Sequence, residues 1–533
     1  SIITKSPLPF MPILGLFIFF SQLPSFQKNQ KETPSIKKDI LRWFFLSLGY
    51  NLLGYYWIPN FLTEFGEITG PLNFFTAVIF SLILLPHILV FILILRTKFY
   101  NSYLKKLDYR NQAIILSLGI VLLEYFIPQQ FPAHMGHPWL GLAPYLGLAP
   151  YFGAPAFSFF SFWIIFALID FVVNKERKGY FAFFCFSIFI LLNVALKIPS
   201  TQLLQSGTKK LNIRLVQANI GNFLKLDSES GKKHSVSSVT KRYFELSTKK
   251  SKEPIDLIIW PETAYPLLIS SKSMNKNTRY VPGVVRNVIK KTGAEVFFGG
   301  YDRASATRGY KSEYNSAFLI SSKGTFKNVY HKHKLIPFGE GLPFGPLNQF
   351  LSRYIKNISF FAEGESYPIF KTKENSTFIS AICYEILFSS FIRDYLESLN
   401  QHPQFLINLT NDSWYGDTLE PYQHLFLSHW RAIEFNLPII RMTNTGISSI
   451  LYPNGEENQR TGLFKKLSKD YTFFYDAKRG PTVFQKWGLI PLCLLAGLLL
   501  LLQTLLVFFN KKKPINFLRK SLLSKDHEVS KNP

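Results

Sequence analysis

A chain of 533 residues with 47% hydrophobic and 16% aromatic side chains carries more apolar surface than a soluble protein of that length usually buries, so part of it belongs in lipid. Its three cysteines exclude a disulfide framework, and no Cys/His cluster has zinc spacing. The formal charge of +26 is read as basic loops and tail that orient the chain in a membrane together with exposed lysines that face anionic lipid head groups, and no basic array interleaved with aromatics points to nucleic acid.

Six apolar runs precede residue 200, near 7–22, 43–58, 72–95, 112–127, 156–173 and 180–198, and each is read as a membrane span. A seventh, "WGLIPLCLLAGLLLLLQTLLVFF" at 487–509, exceeds the about 20 residues that cross the hydrocarbon core. Basic residues collect in alternate connections: Lys28, Lys31, Lys37, Lys38 and Arg42, then Arg96, Lys98, Lys105, Lys106 and Arg110, then Lys175, Arg177 and Lys178, then Lys511, Lys512 and Lys513. The loops at 59–71 and 128–155 hold neither Lys nor Arg. Basic loops stay on the cytoplasmic side, so residues 199–486 are expected outside and the tail inside. This also puts the N-terminus outside, which leads us to expect a further helix ahead of Ser1. Glu124, near the outer end of the fourth run, is a functional candidate as an intramembrane carboxylate, weighed against simple solvation at a helix end. The repeat "GLAPYLGLAPYF" at 141–152 reads as a local duplication in an external loop.

The polar stretch at 205–480 reads as one mixed domain between a membrane domain at 1–200 and the C-terminal helix at 487–509 with its basic tail at 510–533. β-branched and aromatic runs predict strands at 212–220, 255–260, 295–301, 315–321, 378–384 and 404–410. Stretches of helical length lie at 234–249 and 279–292, and "SSKGTF" and "YPNGEE" signal hairpin turns. Strands alternating with helices predict an α/β domain whose mixed sheet is covered in layers.

Three reactive groups stand at predicted strand ends, where a sheet presents side chains to a cleft. They are Glu262 in "LIIWPETA", Lys332 in "YHKHKLIPFGE" and Cys383 in "ICYE". Each alone is more often a surface carboxylate, a solvated lysine or a small core thiol; together they form a reactive set. A thiol with an ordinary pKa of about 8.5 attacks only as thiolate, so Glu262 is suited to take its proton and Lys332 to stabilise thiolate and oxyanion. The chemistry is acyl transfer through a thioester, with no histidine required. Trp414 and Tyr415 in "NDSWYGD" either line the cleft or fill the core beneath the loop, and 410–425 reads as a lid or as a static packed loop. Asn411 and Asp412 read as turn caps. His424 and His429 lie off the spacing of a helical metal pair and read as structural.

"WPETA", "YHKHKLIPFGE" and "ICYE", in that order and followed by "NLTNDSWYGD" and "HWRAIEFNLPIIRMTNTGIS", resemble the Glu-Lys-Cys motifs of the nitrilase, or carbon–nitrogen hydrolase, superfamily. With the flanking apolar runs, the chain is similar to the apolipoprotein N-acyltransferase family. The resemblance implies a multi-span α-helical membrane domain plus an extracytoplasmic α/β nitrilase-like αββα sandwich, in a bacterial inner membrane with the catalytic domain on the periplasmic face. It implies Cys383 as nucleophile, Glu262 as base and Lys332, not Lys334, as the acting lysine. Glu340 and Glu385 match supporting carboxylates, and Tyr384 matches an aromatic beside the nucleophile. The implied substrates are a phospholipid acyl donor and the diacylglyceryl-cysteine of an apolipoprotein, handled by a monomer without cofactor. The chain departs from the family pattern at Leu226, where a tryptophan is expected, at Glu124, which lacks a following arginine, and in showing six runs rather than seven before the domain. A membrane-anchored amidase and a non-enzymatic scaffold or transporter are the competing readings.

Overall fold

The computed structural model describes residues 9–27, 35–64, 70–132, 134–175, 179–197, 208–304, 311–342 except 338, 345, 347–351, 353 and 360–511. The predicted basic positions Lys28, Lys31, Arg177 and Lys178 and the tail beyond 511 lie outside these residues.

Each apolar run before residue 200 forms helix, with three differences from the sequence reading. The second begins at Ile36 rather than near 43, because Ser35 accepts the Lys37 N–H as an N-cap and the charged first turn is paired. Asp39 there is buried against Arg42 and Arg96. The run at 72–95 is broken into Pro71–Leu84 and Pro86–Ile94, bent by 46°, since Pro86 has no N–H to continue the ladder. The fifth, Ala149–Leu168, kinks at Gly153, whose φ of 64° suits glycine and where an added Cβ would meet the Phe484 ring at 2.5 Å. Among the described residues only Ala149–Val173 and Ile490–Phe509 are single helices long and apolar enough to cross a membrane, with the bent pair a third. Phe10–Ser21 and Tyr180–Ala195, at 12 and 16 residues, are shorter than the seven-span reading required. Aromatic packing knits the helices together: Phe20 meets Phe26, Phe91, Phe162 and Phe166 at ring centroid distances of 5.6–6.3 Å.

The rest of the chain forms two sheets. The first contains β1 (Thr208–Gln217), β2 (Leu257–Ile259), β3 (Tyr265–Ile269), β4 (Glu295–Arg303), β5 (Glu313–Ile320), β6 (Phe326–His331) and, from much later in the chain, Leu467–Asp476. The second contains β7 (Phe370–Lys371), β8 (Thr377–Ile382), β9 (Phe405–Thr410), β10 (Ile439–Thr443), β11 (Ser449–Leu451) and β12 (Glu457–Asn458), which leaves Leu467–Asp476 as β13. Their orders are β13-β1-β2-β4-β5-β6, with β3 on β4, and β12-β11-β10-β9-β8-β7. Parallel pairs β1/β2, β2/β4, β8/β9 and β9/β10 form the centres, and antiparallel strands extend the edges.

Period-two alternation explains the layering. In the first sheet Ile213, Leu215, Leu257, Ile259, Phe297, Ala317 and Leu319 face the second sheet, while Val216, Ile258, Val296 and Phe318 face helices Lys233–Ser247 and Gly283–Thr292. Helices Ser389–Glu397 and Glu420–Glu434 cover the far side of the second sheet, so the layers run helix, sheet, sheet, helix. The αββα expectation is met. Each fully buried Leu, Ile or Phe in these layers contributes roughly 1.5–3 kcal/mol.

The sandwich is locked to the helices. Trp430 donates Nε1–H to the His137 carbonyl at 2.6 Å, Glu434 accepts the Ala154 N–H at 3.0 Å, and Trp57 donates to Gln423 at 3.2 Å. The Tyr384 hydroxyl donates to the Gln130 carbonyl, which fixes the turn after β8 to the loop beyond Tyr109–Phe126.

Candidate active site

Glu262 follows β2 through Trp260 and Pro261, and the turn lies directly on β4. Gly299 allows that approach: its N–H donates to the Pro261 carbonyl at 3.1 Å, and a Cβ there would sit 2.6 Å from the Glu262 Cα. The Glu262 carboxylate is buried, accepts from Asn315 Nδ2 at 2.8 Å and lies 3.5 Å from Lys332 Nζ.

Lys332 is the residue after β6, and its backbone N–H donates to the Asn315 carbonyl at 2.9 Å. Its side chain is fully buried, whereas Lys334 is exposed. Nζ is 2.8 Å from Glu340, which also accepts from Asn315 Nδ2 at 3.0 Å and from the Ile336 N–H at 3.0 Å. One ammonium thus sits between two carboxylates that a single amide also bridges.

Cys383 opens the 3₁₀ turn Cys383–Leu387 at the end of β8, in the left-handed region at φ 51°, and is 4% exposed. Glu385 braces this turn against the lysine loop. It accepts the Ile382 N–H at 2.7 Å, the His333 N–H at 2.6 Å, the Lys334 N–H at 3.0 Å and the Tyr330 hydroxyl at 2.8 Å. Tyr384 packs its ring against Phe388 at 4.8 Å and Phe131 at 6.0 Å.

Charge and burial set the resting protonation. Burial pushes the Cys383 thiol well up, Glu262 pushes it further, and Lys332 opposes both. Burial also raises the Glu262 carboxyl, against the pull of Lys332. For Lys332 burial acts to lower the pKa, but Glu340 and Glu262 more than reverse it, so the ammonium is retained. Burial pushes Glu385 up to about 7, opposed by the Ile382 and Lys334 N–H groups. The site therefore holds a fixed cation beside a protonated thiol and a carboxylate of raised proton affinity, which together can pass one proton and stabilise one new negative charge.

A cavity of about 220 Å³ reaches Cys383 and Glu262. Glu340, Trp414, Tyr415 and the half-exposed Leu226 are among its walls. Tyr415 also stacks on Phe61 at 5.5 Å and meets Trp57 edge-on at 5.2 Å, so it lines the cleft and fills the core at once. Glu124 is not brought to this cavity. It is 3% exposed, so helix-end solvation is overturned, and it lines a separate, mainly apolar space of about 400 Å³ between the helices.

Asp412 departs from its reading as a turn cap, since its side chain caps no helix and instead pairs with Arg441 at 3.0 Å, both fully buried. Asn315 escaped the sequence reading as a site residue. The available signal was a polar side chain at the start of the predicted strand run "NSAFLIS".

Comparison with known proteins divides the chain in the same way. Residues 4–167 match the apolipoprotein N-acyltransferase N-terminal domain, and residues 212–465 match the carbon-nitrogen hydrolase family. An apolipoprotein N-acyltransferase of Bdellovibrio bacteriovorus is 27% identical over 91% of this chain and 89% of its own length. One of Haemophilus influenzae is 27% identical over 96% of this chain and 92% of its own. Among solved structures, a CN-hydrolase superfamily protein from Xanthomonas campestris is 17% identical, covering 50% of this chain and 91% of that chain at a TM-score of 0.36. The sandwich has the carbon–nitrogen hydrolase fold, and with that N-terminal domain ahead of it the chain is similar along nearly its whole length to apolipoprotein N-acyltransferases.

Proposed function

We propose that the protein moves the sn-1 acyl chain of a membrane phospholipid onto the α-amine of the N-terminal diacylglyceryl-cysteine of an apolipoprotein, through a thioester on Cys383. In the first half-reaction Sγ attacks the ester carbon as Glu262 takes the thiol proton. Lys332 stabilises the tetrahedral oxyanion. Its collapse breaks the ester C–O bond, and Glu262 returns the proton to the departing lysophospholipid oxygen. In the second half-reaction the neutral α-amine attacks the thioester, Glu262 takes a proton from nitrogen, and the C–S bond breaks to give an amide and a thiolate that recovers the proton. Glu340 and Asn315 hold the lysine and the base in place, and Glu385 and Tyr384 hold the turn that carries Cys383.

The observation that carries this reading is the buried ammonium of Lys332, 2.8 Å from Glu340 and 3.5 Å from Glu262, beside a cavity that reaches Cys383. The apolar helices give the second support. Lipid substrates diffuse laterally and keep their tails in hydrocarbon, so a multi-pass helical domain beside the cavity serves such a reaction, whereas a hydrolase of small amides needs one anchor at most. We place the helical domain in a bacterial inner membrane with the sandwich on the periplasmic face, following the basic loops, and read the protein as a monomer.

The two-step reading is tested by discharge. Enzyme acylated from a phospholipid labelled in the sn-1 chain, then given a diacylglyceryl-cysteine peptide, is expected to yield labelled amide. Release of labelled fatty acid at the same rate with and without peptide would support the amidase reading instead.

A further inference from the structure

His424, on helix Glu420–Glu434, has no place in the proton transfers above, yet it touches the nucleophile's backbone. Its Nε2 lies 3.1 Å from the Cys383 carbonyl oxygen. A carbonyl only accepts, so Nε2 carries the hydrogen, and Nδ1 faces the other way. There it meets Asp412 Oδ1 at 3.4 Å and Glu420 Oε1 at 3.6 Å. All three residues are at most 4% exposed.

Arg441 fixes which of these groups is charged. Burial works against the Asp412 anion, but the Arg441 guanidinium and His424 hold its carboxyl below the usual carboxylate range. Burial and the Asp412 charge push Glu420 well up, while burial and Arg441 lower His424. Both directions favour a neutral imidazole beside a protonated Glu420 carboxyl, whose Oε1 faces Nδ1 at 3.6 Å. The three ligand atoms lie within 4.8 Å of one another, as a small cation would also require. The guanidinium already bound to Asp412 argues for the proton, since a dication would sit against a fixed positive charge.

The other half of the argument is the backbone that His424 holds. A non-glycine residue in the left-handed region is strained and persists only where its surroundings enforce it. Cys383 is such a residue, at φ 51°. Glu385 secures the peptide N–H before it, on Ile382, and His424 secures the carbonyl after it.

We propose that His424 is a positioning residue for Cys383: seated against Asp412 and Glu420, its imidazole holds the Cys383 carbonyl and thereby the backbone conformation that aims Sγ into the cavity. The inference rests on the reading of Cys383 as the acyl-accepting nucleophile, and its test separates the two. Single-turnover acylation by labelled phospholipid is measured in detergent across donor concentrations for wild type, His424→Phe, His424→Gln and Glu420→Gln. Alkylation of Cys383 by iodoacetamide is read by mass spectrometry in parallel. His424→Phe is expected to slow acylation at saturating donor roughly 100-fold, as a displaced nucleophile does, with an unchanged half-saturation concentration. His424→Gln, which returns an N–H to the carbonyl, should recover at least about tenfold of that loss, since one hydrogen bond is worth about that factor. Glu420→Gln, which keeps shape and a donor without charge, should stay within about threefold of wild type. His424→Met replaces the phenylalanine variant if that one does not fold. Equal losses in the Phe and Gln variants, a loss confined to half-saturation, or a stoichiometric divalent metal whose removal abolishes acylation would each overturn the proposal. If wild type takes no label, the acyl-transfer reading fails. Positioning is then decided by alkylation alone, slowed in His424→Phe if it holds and unchanged if it does not.

Discussion

The molecule buries a glutamate beside each of two cavities, and the two are wired in opposite ways. Glu262 has a lysine at 3.5 Å, an amide donor at 2.8 Å and a second carboxylate across the lysine. Glu124 accepts one backbone N–H, from Met135 at 2.8 Å, and a hydrogen bond from the Ser158 hydroxyl, in a mainly apolar space shared with His87 and His134, and among the described residues no lysine or arginine pairs with it. A carboxylate with a cation in reach can gain and lose a proton while the geometry stays fixed. One whose partners are a peptide N–H and a hydroxyl ties a loop to a helix end. Burial alone marks neither as reactive; the fixed cation makes the distinction.

Removing that cation is the most severe way to erase the contrast. Lys332→Ala leaves Glu262 and Glu340 buried without a counter-charge and strips the oxyanion of its donor, so acylation measured in single turnover should fall on the order of 10³-fold or more. Lys334→Ala, at an exposed position two residues on, should remain within about twofold. Comparable losses in both would mean that burial after β6 does not select the acting lysine.

The pH profile sharpens the same contrast. Glu262 accepts a proton only when ionised, and burial raises its carboxyl above the ordinary carboxylate value. The rate of thioester formation at low donor concentration should therefore be full above that raised pKa and decline as pH falls through it. Glu262→Gln should lose roughly 10²-fold or more and flatten this acid limb. An acid limb unchanged in the variant would assign it to another group.

The smallest effect is expected on the other side of the comparison. Glu124→Gln keeps an oxygen for the Met135 N–H, so acylation should stay within about threefold of wild type. A loss approaching that of Glu262→Gln would join the two cavities into one functional unit.

The sequence made the three strand-end residues visible for a simple reason. β2, β6 and β8 end at Ile259, His331 and Ile382, and the candidate side chain follows each strand end within three residues. Lys332 and Lys334 differ in burial although strand alternation would place residues two apart on one face, because the chain leaves the strand path after β6, where Glu385 accepts the His333 and Lys334 N–H groups. What escaped was anything completed by a distant segment. Asn315 bridges carboxylates contributed by residues 262 and 340. The buried Arg441 in "IIRMT" hides strand β10, since its partner Asp412 lies in another loop. The charges of Ile36–Gly54 disguised the start of that helix because Arg96, which neutralises Asp39, is 57 residues away. Pro86 was a readable interruption in the 72–95 run, yet it was overlooked because a span was expected there and the apolar pattern continues on both sides.

The central claim is a covalent acyl group on Cys383. Purified protein mixed with a phospholipid labelled in its sn-1 chain, quenched in acid and digested, is read by mass spectrometry at the Cys383 peptide. The account predicts a hydroxylamine-sensitive acyl adduct on Cys383 in the wild type and none in Cys383→Ala. A wild type that takes up no label while the lipid is accessible, or a label that survives in Cys383→Ala, would contradict it.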